Sequence, residues 1–185
     1  GVGNGIFECV QDVVGYQNLC YLSIDGEELY AVLFKQVGRT NLEIWRRFME
    51  KYHDLYCVLR FGDDLGYKNT TLLSPDDTRT HIIPKYKPII DLVHSYNRPF
   101  LLHSCGKIFD VMEDILATGI DAKHSNEDQI APFPEWVKMY GDRIGNFGGI
   151  DVDVVCNYGK EEMKDYIADI FSQCKGHGGF AFGTG

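Results

Sequence analysis

The chain has 185 residues, 44% of them hydrophobic and 24% charged, an ordinary composition for a globular fold and long enough to bury a substantial core. A formal net charge of −9 and a pI near 5.0 argue against nucleic acid or an anionic membrane surface as the main partner. No apolar run approaches the roughly 18 residues needed to cross a bilayer, and the start carries no basic, apolar, small-residue signal pattern. The six cysteines, at 9, 20, 57, 105, 156 and 174, form no CxxC pair and no framework spacing. The expectation is a cytoplasmic protein with free thiols.

In chain order, Gly1-Val2-Gly3-Asn4-Gly5 has no Met and reads as the loop that follows a strand. Residues 6–22 read as a short helical pair broken around Gly15. Over 27–49 the apolar positions recur at three and four, which predicts one or two amphipathic helices interrupted near Gly38, with their aromatics in the core. Residues 55–61 form the first clear strand, ending in Gly62-Asp63-Asp64-Leu65-Gly66. Two adjacent carboxylates at a strand end suit a cation or substrate hydrogen bonds; a turn with a helix-capping Asp is the equal alternative. Then Ser74-Pro75 resembles a helix entry, and the helix that follows, with Pro84 and Pro88, should kink or start late near Pro84.

The stretch Arg98-Pro99-Phe100-Leu101-Leu102-His103-Ser104-Cys105-Gly106 is a short apolar run between Pro and Gly, the pattern of a fully buried parallel strand. Side chains at i and i+2 share a face, so His103 and Cys105 leave the strand end together. Imidazole and thiolate are neighbouring ligands for a metal such as zinc, whereas a buried Cys beside a hydrogen-bonded His is the plainer alternative. Residues 108–117 form a helix stopped at Gly119, and 121–127 a short polar strand whose end holds His124, Asn126 and Glu127. A brief helix over 132–141, a strand over 143–151, a helix over 161–171 and a last strand over 178–185 complete the order.

Alternating strands and helices imply a parallel sheet covered by helices, an α/β fold. Reactive and polar types gather at the strand ends, namely Asp63 and Asp64, His103 and Cys105, Asn126 and Glu127, Asn146 and Asp151, and Thr184. Ligands sit at the carboxyl ends of such strands. A closed β/α barrel takes about 250 residues and eight units. The five units legible here, preceded by a loop and without a closing helix, read as a single domain, residues 1–185, forming the C-terminal part of a longer barrel.

Four segments then carry a resemblance: Phe61-Gly62-Asp63-Asp64, Leu102-His103-Ser104-Cys105-Gly106-Lys107, Gly119-Ile120-Asp121-Ala122 and Gly145-Asn146-Phe147-Gly148-Gly149-Ile150-Asp151. In order and spacing they resemble successive strand ends of the uroporphyrinogen decarboxylase superfamily, over the later half of its (β/α)8 TIM-type barrel. The HxC pair is similar to the branch of zinc-dependent, corrinoid-linked methyltransferases such as methylcobamide:coenzyme M methyltransferases, in which the His and first Cys of an HxC…C motif bind zinc. The resemblance implies that His103 and Cys105 hold Zn2+, that a thiol takes a methyl group from methylcobalamin, and that a corrinoid protein is a partner. Asp63, Asp64 and Glu127 are then candidate catalytic residues or replacement ligands, because the family's second Cys is missing from Phe182-Gly183-Thr184-Gly185 and Cys174 lies elsewhere. Tyr67, Asn126, Asn146 and Asp151 are candidate substrate contacts.

Two alternatives accompany this reading. Metal-free decarboxylation of a tetrapyrrole needs cationic groups for its carboxylates and a carboxylate to hold the pyrrole N–H groups; only Asp63, Asp64 and Tyr67 resemble contributors here, and no cluster of Arg appears at the strand ends. A non-catalytic barrel that binds a corrinoid or another small ligand is the other. Unpaired parallel edges are also expected to be covered by self-association or rearrangement.

Overall fold

Five parallel strands lie across one sheet in the order in which they occur in the chain. The structure is a computed structural model and describes residues 4–126 and 129–184. The strands are β1 (Leu59–Gly62), β2 (Phe100–His103), β3 (Ala122–His124), β4 (Gly145–Ile150) and β5 (Phe180–Thr184). Before the sheet come α1 (Ile6–Val14), α2 (Tyr16–Asp25) and α3 (Glu27–Tyr52). Between β1 and β2 run α4 (Pro75–Asp77), a π-helical turn (Thr78–Ile82) and α5 (Ile83–Ser95). Next, α6 (Phe109–Ala117) joins β2 to β3 and α7 (Phe133–Tyr140) joins β3 to β4, while α8 (Val152–Asn157) and α9 (Lys160–Cys174) join β4 to β5.

Helix α3 shows why the core forms. Its buried residues Tyr30, Phe34, Gly38, Asn41, Trp45 and Met49 recur at three and four and form one stripe. Trp45 meets Phe61 of β1 and Phe100 of β2, and Phe61 meets Tyr86 of α5. Each such ring, fully buried, contributes roughly 1.5–3 kcal/mol. Gly38 does not interrupt the helix as its composition suggests. It is a packing position, where a Cβ would come within 3.0 Å of the Lys85 side chain of α5.

Other boundaries also move. The first strand starts at Leu59, not at residue 55, and Leu55, Tyr56 and Val58 stand exposed before it. The helix around Pro84 does start late: Ser74 Oγ accepts from the Asp77 N–H, Pro75 takes the first turn, and the π-helical turn precedes Pro84. Helix α8 falls in a stretch, 152–160, to which the sequence pattern assigns no element.

Register decides which side chains reach the site. Laterally matched residues of parallel strands share a face, so Leu59 with Phe100 and Phe61 with Leu102 point toward the helices. Lys123 is matched to Leu102 and Asn146 to Lys123, which puts both on that covered face. The opposite face carries Arg60, Leu101 and Ala122 and, at its carboxyl end, Gly62, His103 and His124.

One carboxylate ties the N-terminal helices to the sheet. Asp63, fully buried just after β1, accepts from the N–H groups of Ile6 at 2.9 Å, Phe7 at 3.0 Å and Glu8 at 2.9 Å. Tyr86 Oη donates to the same group at 2.7 Å. Three of the unpaired donors at the start of α1 are thus met by a residue more than fifty positions away, and the negative charge lies against the positive end of the helix. Full burial still pushes Asp63 up to about 6, against those four hydrogen bonds, which favour the charged form. Asp63→Asn turns an N–H donor toward backbone donors and should cost about 2–4 kcal/mol. Tyr86→Phe, which removes one hydrogen bond of several, should cost about 1 kcal/mol, and urea unfolding of the two variants checks both values.

Candidate metal centre

Asp64, next to Asp63, turns the other way. Its Oδ1 accepts the Cys105 N–H at 2.9 Å and lies 3.5 Å from His103 Nε2, while Cys105 Sγ is 3.4 Å from the same nitrogen. One ligand atom each from Asp64, His103 and Cys105 falls within 4.8 Å of the other two, and no other described group of His, Cys, Asp and Glu does so. Two ligands on a tetrahedral ion with zinc bond lengths stand about 3.5 Å apart. The observed spacings match that value.

Cys105 lies two residues beyond the end of the regular strand, so alternation alone does not place its thiol. The loops after β1 and β2 are clasped backbone to backbone. Ser104 is fully buried; its N–H donates to the His124 carbonyl and its Oγ accepts from Leu65 N–H. The Gly66 N–H donates to the Cys105 carbonyl, and a Cβ on Gly66 would sit 2.5 Å from the Gly106 carbonyl carbon. Gly106 has φ +77°, and its own Cβ would meet Gly66 backbone at 2.3 Å. Only glycines allow this approach, and the approach brings Asp64 to Cys105.

The electrostatics favour a ligand-ready imidazole. Burial is the main reason that His103 is pushed down to about 4, with Asp64 opposing and Arg60, His124 and Lys123 assisting. His103 is therefore neutral near pH 7, the state in which imidazole coordinates a metal. Beside the cluster, Glu8 in the first turn of α1 is pushed up to about 7, first by burial and then by the charges of Asp63 and Asp64. His124 Nδ1 lies 2.7 Å from His103 Nδ1, a contact that the sequence leaves open because His124 reads equally as the end of a strand.

The remaining candidates do not gather here. Asp63 is a buried helix cap rather than a lining carboxylate. Asn126 is buried, donates to the Phe147 carbonyl and accepts from Lys123 Nζ. Asn146, on the helix-covered face, donates toward the carbonyls of Ile144 and Gly179. Asp151 caps α8, accepting from Asp153 and Val154 N–H. Tyr67 is exposed on the clasped loop and is held through its backbone to Thr70 and Lys107. Glu127 lies outside the described residues. Cys174 is fully buried in a small cluster with Phe133, Val137 and Ile170, away from the site.

A parallel sheet whose strands follow one another in chain order, with a donor cluster at their carboxyl ends, is the arrangement found along part of a β/α barrel. A sequence profile of the uroporphyrinogen decarboxylase (URO-D) family matches residues 1–185, and the chain belongs to that family. Its fold is similar to that of a methyltransferase from Methanosarcina mazei, with a TM-score of 0.73 and 17% identity. That match covers 98% of this chain and 51% of the methyltransferase, so the chain spans about half the length of that protein. Comparison with curated proteins gives no match. Among the described residues no helix is long and apolar enough to cross a membrane.

Two outcomes follow from this geometry. Gly106→Ala strains a left-handed backbone, at about 1–2 kcal/mol, and forces the loops apart; loss of thermal stability together with faster alkylation of Cys105 checks it. For Glu8 the folded value of about 7 exceeds the ordinary 4.5, so its stabilising contribution is complete below pH 4.5 and disappears as pH rises through 7. Glu8→Gln should therefore gain stability over the parent at pH 8 and little at pH 4; equal differences in urea midpoint at both pH values would contradict this.

Proposed function

We propose that Asp64, His103 and Cys105 hold a zinc ion, and that the whole protein uses it to pass a methyl group from a methylated corrinoid to a thiol. The observation that carries the reading is the mutual spacing of three unlike donors, nitrogen, sulfur and oxygen, at the mouth of a β/α fold. Three protein ligands leave a fourth position, as catalytic rather than structural zinc sites do. When bound, zinc would lower the pKa of a coordinated thiol so that a thiolate is present near neutral pH.

The chain's own residues supply the rest. His103, neutral, offers a lone pair without first losing a proton, whereas Cys105 must release its proton to bind. Asp64 adds negative charge that offsets the cation, and its bond to the Cys105 N–H fixes the loop that carries the sulfur. In the transfer the acceptor S–H proton leaves to solvent, a C–S bond forms and the Co–C bond breaks, the electron pair staying on cobalt as Co(I). The methyltransferase likeness agrees with this assignment without specifying it, since at 17% identity it speaks for the fold.

Metal analysis of the intact protein, followed by an assay with methylcobalamin and a small thiol, tests the proposal. Stoichiometric zinc, lost in His103→Ala and Cys105→Ala and weakened in Asp64→Asn, together with Co(I) formation that depends on the zinc, is the expected result. A protein that retains no divalent metal overturns it, and metal-independent loss of carboxyl groups from a tetrapyrrole would assign the decarboxylase chemistry of the family instead.

A further inference from the structure

The His103 ring has a second partner that decides which of its nitrogens is available. Its Nδ1 is 2.7 Å from Nδ1 of His124, with the rings set edge to edge at a centroid distance of 4.9 Å and an interplanar angle of 29°. On its far side, His124 Nε2 is 2.9 Å from the backbone carbonyl oxygen of Thr184 at the end of β5. A carbonyl oxygen has no hydrogen to give, so His124 Nε2 carries the N–H of that bond. Neutral His124 then presents a bare lone pair at Nδ1. Two bare nitrogens do not approach to 2.7 Å, so the hydrogen between the rings belongs to His103 Nδ1. This leaves His103 Nε2 without hydrogen, and Nε2 is the nitrogen that faces Cys105 Sγ and Asp64 Oδ1.

We infer that His124 is a positioning residue: through the relay Thr184 carbonyl, His124, His103, it holds His103 in the tautomer whose free lone pair points into the Asp64–Cys105 cluster. With His124 uncharged, the tautomer follows from the hydrogen-bond chemistry. Its effect on affinity rests on the metal reading above, where the hydrogen bond to the outer nitrogen orients the ring and raises the basicity of the inner one. Register supports the role, since His103 and His124 are matched partners on β2 and β3 and their side chains share the open face.

The test is nitrogen-15 NMR of histidine-labelled intact protein, free of metal, followed by zinc competition against a chelator. In the parent, His103 should show a protonated Nδ1 and a bare Nε2. His124→Ala should release it to the mixture typical of free imidazole and weaken zinc binding about 10–100-fold. His124→Asn, whose Oδ1 offers an acceptor near the position of Nδ1, should restore both the tautomer and affinity to within about threefold of the parent. A His103 protonated at Nε2 in the parent, or an unchanged tautomer in His124→Ala, overturns the inference even if zinc binds. A correct tautomer in a protein that takes no zinc removes the metal reading and leaves the relay standing.

Discussion

The contact on which the architecture depends is the one between a buried carboxylate and the start of a helix. Asp63 gathers the first three N–H groups of α1 and the Tyr86 hydroxyl, so β1, α1 and α5 meet at one charged group. A charge without water is costly, and an unpaired helix terminus in the core is costly as well; each removes the other's penalty. Because Asp63 is committed to this task, the chain turns at the end of β1 and its neighbour Asp64 faces the opposite way. Adjacent acids with identical chemistry thus take different work, one holding helices and the other joining the donor cluster.

Much of this was legible in the residues themselves. The strand-helix alternation, the parallel sheet, the break at Gly15 and the His103–Cys105 pair all follow from local pattern and residue type. Which face a strand-end residue takes does not. Asn146 reads in the sequence as a strand-end residue, yet it is the second residue of β4 and its register with Lys123 sends it under the helices. Asp151 is a residue type that caps helices, but the strand pattern runs up to it, and the helix it opens shows only in its bonds from the Asp153 and Val154 N–H groups. Asp63 was harder still, since its partners lie at residues 6–8 and no local pattern records a cap supplied from so far away.

Lys123 shows the same limit from the other side. A lysine in a short polar strand reads as surface, but here it is fully buried, with Nζ 4.4 Å from the Trp136 ring and bonded to the Ser125 carbonyl and Asn126 Oδ1. Its stem fills space beneath α7 while its ammonium draws in the chain just after β3. The segment that follows His124 is therefore anchored by a cation below the sheet, and the imidazole above it inherits a fixed base.

Because strand order along the sheet equals order along the chain, each strand is added to the edge laid down just before it. The donors themselves arrive with β1 and β2, but the carbonyl that orients the two paired imidazoles belongs to Thr184, at the far end of β5. A growing polypeptide would own its sulfur, nitrogen and oxygen long before it could aim them. Fraying of that outermost strand would blunt the grip on a cation while leaving the aromatic interior around Trp45 undisturbed.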